Sequence, residues 1–319
     1  LCHLLLVLQV ILATGIWFYK FYFASTDAAI RHAEAIMFRR MTVAQLAEQG
    51  NYRFFYVTNR VAGSNDASLE GRFGSDREGA LKYGSFDAEI KPSLGLGMPI
   101  NPTEWFQNEE INLTSVQALE KTQFIERLRG RIANSPHRSL LIVVHGFRER
   151  YPSALRKTAF LGHILDINTP VLVFDWPGNQ GSSLSGYRRA REVAEASGAE
   201  LAQLLQLVIR DLQPQRLWLI ANSMGGQVVA DAFHRLYREA DFADAQTEIE
   251  DVVLTAPDIS QEEFDNQFKA EIMALARNLT VYVSSNDRAL LVSRIVNRGA
   301  RSGESTLSPD QLEEAGRVA

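Results

Sequence analysis

The stretch LWLIANSMGGQVVADAF, Leu217–Phe233, passes without a linker from an apolar strand pattern into a helical one. Its corner is Ala221-Asn222-Ser223-Met224-Gly225. A strand that turns at once into a helix forces the corner residue into a strained backbone conformation. Small neighbours then let strand and helix pack closely. A serine at that corner is held at the C-terminal end of a sheet and at a helix N-terminus, where the helix dipole favours developing negative charge. This is the G-x-S-x-G arrangement of a nucleophilic serine, with Ala221 in place of the first glycine and Gly225 as the second. The alternative reading is a plain helix N-cap.

The surrounding pattern decides between sheet types. From Ser139 onward, segments 139–144, 170–174, 216–220, 251–255 and 280–283 are short, apolar and rich in Val, Leu and Ile. Helical patterns separate them. Ala190, Ala194, Ser197, Leu201, Leu204, Val208 and Leu212 fall at steps of three and four, one face of a long helix. Such alternation predicts an α/β fold with a mostly parallel, doubly wound sheet. Upstream, segments 53–58 and 83–90 read as strands that extend this sheet as an antiparallel edge. Segment 61–79, rich in Gly, Ser, Asn and Asp, reads as a loop, and 114–130 as an amphipathic helix ending at Gly130.

A corner serine needs partners. Two backbone N–H groups should face the oxyanion. One is that of Met224, and the other that of Phe147 or Gly146, in the loop after the apolar strand Leu140–Val144. His145 and Trp176 sit at neighbouring strand ends and are assigned to the cleft lining. His145 reads as a brace for its loop rather than as the base. Trp176 is read equally as cleft lining or as a cap on the core. The triad acid should follow the serine at the end of a later strand. Asp287 is the first candidate, with Asp258 in reserve; capping a helix is the plain alternative for either. The base is absent: the histidines are His3, His32, His137, His145, His163 and His234, and none follows Asp287. The expectation is that the last strand and the catalytic histidine lie beyond Ala319. A catalytically inactive relative is the alternative.

Bulk composition narrows the function classes. The net charge of -5 offers no basic surface for nucleic acid, and a single cysteine excludes both a disulfide framework and a cysteine-rich metal site. No metal or organic cofactor is implied. Residues 4–23 form an apolar run broken only by Gln9, Thr14 and Lys20, with Trp17, Tyr19 and Tyr22 toward its end. That length crosses a bilayer once, so 1–25 reads as a membrane anchor, with a cleaved signal segment as the alternative. Residues 26–50 read as a helical linker, and 51–319 as one catalytic domain.

These residues resemble the α/β-hydrolase superfamily and, more closely, a bacterial family of α/β-hydrolases of unknown function that are loosely called esterase- or lipase-like. The marks are Tyr56-Val57-Thr58-Asn59-Arg60, Tyr83-Gly84, Val144-His145-Gly146-Phe147, Asp175-Trp176-Pro177-Gly178, Asn222-Ser223-Met224-Gly225, Ala256-Pro257-Asp258 and Ser285-Asn286-Asp287-Arg288. The resemblance implies Ser223 as nucleophile, a later aspartate as acid and a histidine near the C-terminus. Asn222 departs from the histidine usual before the serine. The expected chemistry is acyl transfer from a small-molecule or lipid-like ester to water, at a membrane surface if residues 4–23 anchor the chain. A non-catalytic binding module on the same fold and an acyltransferase are the alternatives.

Overall fold

The computed structural model describes residues 12, 14, 41–46, 50–63, 68–90, 111–165, 167–239 and 249–283. Eight strands form one sheet: β1 (Asn51–Ala62), β2 (Phe73–Ile90), β3 (Ile111–Leu119), β4 (Ser139–Val144), β5 (Val171–Asp175), β6 (Arg216–Asn222), β7 (Ile249–Thr255) and β8 (Ala276–Tyr282). Their spatial order is β3-β2-β1-β5-β4-β6-β7-β8. The β3-β2-β1 edge is antiparallel, and every later pairing is parallel.

Helices α1 (Lys121–Asn134), α2 (Tyr151–Leu165), α3 (Leu184–Leu207), α4 (Gly225–Tyr237) and α5 (Lys269–Leu275) cover the sheet. Phe55, Val57, Ile142, Val144, Leu172 and Phe174 point to one face, where they pack with α1, α3, α4 and α5. Phe54, Tyr56, Leu141, Val143, Val171 and Val173 point to the other, packing with α2. The period of two along a strand therefore fills both cores at β1, β4 and β5, and all six residues of β4 are buried. The stripe from Ala190 to Leu212 is buried along its whole length, and its last turn, Val208–Leu212, widens to π-helix before Gln213 caps it in the left-handed region.

Chain order reverses around β4. β5, the next strand, pairs with one side of β4, and β6 pairs with the other. In an open α/β sheet a crevice opens at the carboxyl ends of the strands flanking such a switch. Here Val144 pairs with Ala221, so β4 and β6 end at the same level. Their outgoing loops meet in that crevice.

Two expectations change. Segment 114–130 divides into a strand, β3, and a helix, α1. Thr114–Leu119 pairs antiparallel with β2, and Gly130 lies inside α1 with open space where its side chain would be, so it does not end the helix. Much of the loop-like segment 61–79 belongs to a long β1–β2 ribbon. Two register shifts along β1 absorb its irregular composition, and Gly63 donates to the Arg72 carbonyl at its narrow end. Of the linker at 26–50, residues 26–40 lie outside the described residues; Met41–Val43 is a 3₁₀ turn and Gln45 bridges to Tyr52. The apolar run 4–23 also lies outside them, save for Leu12 and Thr14, which are helical. Among the described residues no helix is long and apolar enough to cross a membrane.

The α3–α4 contact contains a carboxylate under strain. Gly198 lies so close to α4 that an added Cβ would stand 2.5 Å from the Asp231 Cβ. Burial pushes the Asp231 carboxyl up; the Gln227 amide pulls it partly back, Glu195 raises it further, and the net position is about 6. A raised carboxyl means that the folded state holds the proton more tightly than the unfolded state, so stability falls as pH rises from about 4 to about 6. Asp231→Asn keeps an acceptor for Gln227 and removes the charge. It is expected to stabilise the protein at pH 7 by about 1–2 kcal/mol after allowance for partial solvent screening. The gain should vanish below about pH 4. Urea midpoints at the two pH values check this, and an equal gain at both would place the effect elsewhere.

Candidate active site

Ser223 has φ 51°, in the left-handed region that side chains other than glycine rarely adopt. It is partly exposed, between Asn222, which is exposed, and Met224, whose side chain is buried. The corner is pinned on all sides. The Ser223 N–H donates to the Thr255 carbonyl at 2.9 Å, and its own carbonyl accepts from Gly226 at 2.9 Å and from Asp258 at 3.1 Å. Left-handed residues also follow β4 and β7: Arg148 at φ 67° and Ala256 at φ 44°. Three of the five such residues among the described ones thus gather at the carboxyl edge of the sheet, the pattern expected where strain is stored at a site.

The glycines around Ser223 answer to space. A Cβ on Gly225 would stand 2.5 Å from the His145 carbonyl oxygen and 2.8 Å from that of Val144. Only glycine lets the first turn of α4 press against the end of β4. A Cβ on Gly146 would lie 3.2 Å from the Ser223 Cβ, so the loop after β4 passes directly beside the serine. The structure therefore brings Ser223, Met224, Gly146 and Phe147 together. Asp258 joins them: it is buried, and the Tyr187 hydroxyl donates to its carboxylate at 2.6 Å. The Tyr187 ring packs edge-on against Phe147 with centroids 5.6 Å apart. Sequence reasoning passed over Tyr187. Its signal was the Ser183-Leu184-Ser185-Gly186 start of α3, where the Ser183 hydroxyl caps Gly186. Asp287 lies outside the described residues.

His145 and Trp176 do not line the cleft. Trp176 is fully buried and His145 is 4% exposed. Their rings stack at 5.6 Å and 7° behind the loop. The Trp176 indole N–H donates to the His145 carbonyl at 2.8 Å, and the Trp176 backbone nitrogen lies 3.2 Å from His145 Nε2. His145 Nδ1 donates to the Gly146 carbonyl at 2.9 Å, and Nε2 lies 3.1 Å from Asp175 Oδ1. Both ring nitrogens are therefore engaged. The other described histidines sit elsewhere: His137 precedes β4, His163 is near the end of α2, and His234, near the end of α4, contacts Glu271.

Behind this pair lies a buried ionic cluster that sequence patterning did not reveal. Asp175, at the end of β5, accepts from Thr58 at 2.7 Å and from Arg60 Nε at 2.8 Å. Arg60 also donates to Gly74 O, Asn179 Oδ1, Glu149 O and Trp176 O. Burial alone would raise the Asp175 carboxyl; Arg60 and His145 hold it below the usual carboxylate range. A cavity of about 300 Å³, lined by His137, Ser139, Thr169 and Trp218 among others, lies at the opposite edge of the sheet and belongs to none of this.

No curated protein matches the chain. Among solved structures it overlaps an inhibited esterase B from Lactobacillus rhamnosis, at 10% identity, over 87% of this chain and 82% of that one. The TM-score of 0.31 is too low for that overlap to carry an argument. A family model described as "alpha/beta hydrolase of unknown function (DUF900)" matches residues 120–317. That span begins just before α1 and takes in β4, the loop after it, β6 and the Ser223 corner, and the chain belongs to this family of alpha/beta hydrolases.

Proposed function

We propose that the protein is a serine hydrolase that cleaves a carboxylic ester or related acyl bond through an acyl-enzyme on Ser223. The observation that carries this reading is the left-handed, hydrogen-bonded corner that presents a partly exposed serine beside the loop after β4. In this mechanism Ser223 Oγ bonds to the acyl carbon while its proton passes to a histidine. The carbonyl π pair moves onto oxygen, facing the N–H groups of Met224 and Phe147. Collapse expels the alcohol, which takes the histidine's proton, and water then repeats the sequence on the acyl-enzyme. The base in this reading is a histidine outside the described residues. Asp287 is the acid that orients it. Asp258, engaged by Tyr187, is the reserve and a wall of the cleft. A lipid-like acyl substrate, met at a membrane that residues 4–23 would hold, completes the proposal.

A fluorophosphonate probe on the full-length protein tests it. The probe phosphonylates an activated serine and displaces fluoride. Labelling is expected in the parent protein and absent in Ser223→Ala; labelling that survives the substitution would end the assignment.

A further inference from the structure

We infer that Arg60, Asp175 and His145 form a positioning relay that fixes the Gly146–Phe147 peptide unit, so that the Phe147 N–H, and not that of Gly146, is the second oxyanion donor. This rests on the proposed hydrolase reading for its purpose, but its geometry stands independently. A trans peptide is planar, with its C=O and N–H pointing in opposite directions, and no cis bond occurs among the described residues. The carbonyl of the Gly146–Phe147 unit belongs to Gly146 and accepts from His145 Nδ1 at 2.9 Å. The N–H of the same unit, that of Phe147, therefore points away from the imidazole. The preceding unit is turned the other way. The His145 carbonyl faces α4, since a Cβ on Gly225 would stand 2.5 Å from its oxygen, and it accepts from the Trp176 indole. The Gly146 N–H, antiparallel to that carbonyl, points away from the start of α4 and so from the serine corner.

The relay continues behind the ring. Asp175 Oδ1 lies 3.1 Å from His145 Nε2, and Asp175 Oδ2 accepts from Arg60 at 2.8 Å. Arg60 also grips the loop directly through the Glu149 carbonyl, and the Arg148 N–H donates to the Gly178 carbonyl at 2.8 Å. Four of the five peptide units between His145 and Arg150 are thus held by named partners. The other proposed donor is arranged alike: the Ser223 carbonyl is held from behind by the Asp258 and Gly226 N–H groups, turning the Met224 N–H forward. Hydrogen bonds in series polarise one another, so a donor on a carbonyl strengthens the N–H at the far end of the same peptide.

Two nearly isosteric variants separate this role from simple packing. An asparagine amide nitrogen stands where Nδ1 stood, whereas a glutamine amide stands where Nε2 stood. His145→Asn therefore keeps the bond to Gly146, and His145→Gln loses it. In ¹H–¹⁵N spectra of the full-length protein, the Phe147 amide should move furthest in His145→Gln, which loses the Gly146 bond, and less in His145→Asn, which loses only the Asp175 contact. Ester hydrolysis should follow, with kcat lower by about 10- to 100-fold in His145→Gln and KM within about threefold, and with a smaller kcat loss in His145→Asn, which keeps the Gly146 bond but gives up Asp175. An unmoved Phe147 amide in His145→Gln, or equal losses in the two variants, overturns the relay. The amide readout needs no turnover, so failure of the hydrolase reading, seen as probe labelling that survives Ser223→Ala, is distinguishable from failure of the relay.

Discussion

Ser223→Ala is expected to lower ester hydrolysis by about 10⁴-fold or more, with KM little changed and the fold intact. Removing the nucleophile leaves the oxyanion donors and the binding surface, so a residual rate well above that of water should persist. The fold should survive because the corner is built from backbone bonds: Ser223 N–H to Thr255, and the Ser223 carbonyl to Gly226 and Asp258. Alanine has the same Cβ and meets the same strain at φ 51°. Glycine does not, because a left-handed conformation costs about 1–2 kcal/mol only for residues with a Cβ. Ser223→Gly should therefore be as inactive as Ser223→Ala, yet more stable than it by about 1 kcal/mol. Initial rates on short- and long-chain esters, together with urea midpoints for the two variants, measure both effects. More than a hundredth of parental activity in Ser223→Ala would remove the serine from the chemistry. A glycine variant no more stable than the alanine variant would show that the corner stores no strain.

What was legible in the sequence was what local patterning encodes. β4 is buried on both faces, so every residue from Ser139 to Val144 had to be compatible with burial, and it reads as an unbroken apolar run. The buried stripe of α3 reads through its spacing, and the Ser223 corner through the small residues that close packing demands. The N-terminal ribbon was harder. Asp76, Glu78 and Lys82 are tolerated in β2 because much of the Phe73–Ile90 strand stands clear of the core, so its composition resembles a loop. β3 is exposed at Asn112, Thr114, Gln117 and Ala118 and runs through Glu120 into α1, and the two together imitated one amphipathic helix. The polar cluster was invisible for a different reason. Asp175 lies more than a hundred residues from Thr58 and Arg60, and only the pairing of Thr58 with Asp175 across β1 and β5 brings them together. Trp176 was placed on the cleft because a strand-end aromatic beside Pro-Gly suits either wall or core. Its indole N–H found the His145 carbonyl, which settled it in the core.

Arg60→Ala is expected to destabilise the fold by about 3–5 kcal/mol, the cost of removing one partner from a buried ion pair. Both side chains are essentially inaccessible, at 1% exposure for Arg60 and 0% for Asp175. Breaking the pair leaves Asp175 with only Thr58 and His145, and leaves the carbonyls of Gly74, Glu149 and Trp176 without the guanidinium. Against a typical domain stability of about 5–15 kcal/mol, such a loss would leave a marginal protein. Arg60→Lys keeps the charge but not the planar five-donor fork, so an intermediate loss is expected and provides a variant that folds. The pH dependence gives the sharper test. In the parent, the Asp175 carboxyl is held low, so its contribution is present above the unfolded carboxylate range and is lost as pH falls through the lowered folded value. Without Arg60 the dominant remaining influence is burial, which favours the protonated acid and raises the carboxyl above its unfolded value. The sign of the linkage then reverses: the Asp175 contribution should make the variant less stable as pH rises from about 4 to about 8. Urea unfolding of the parent, Arg60→Lys and Arg60→Ala at the two ends of that range reads the reversal directly. A loss below about 1 kcal/mol, or one independent of pH, would mean that the guanidinium is not what holds Asp175 ionised.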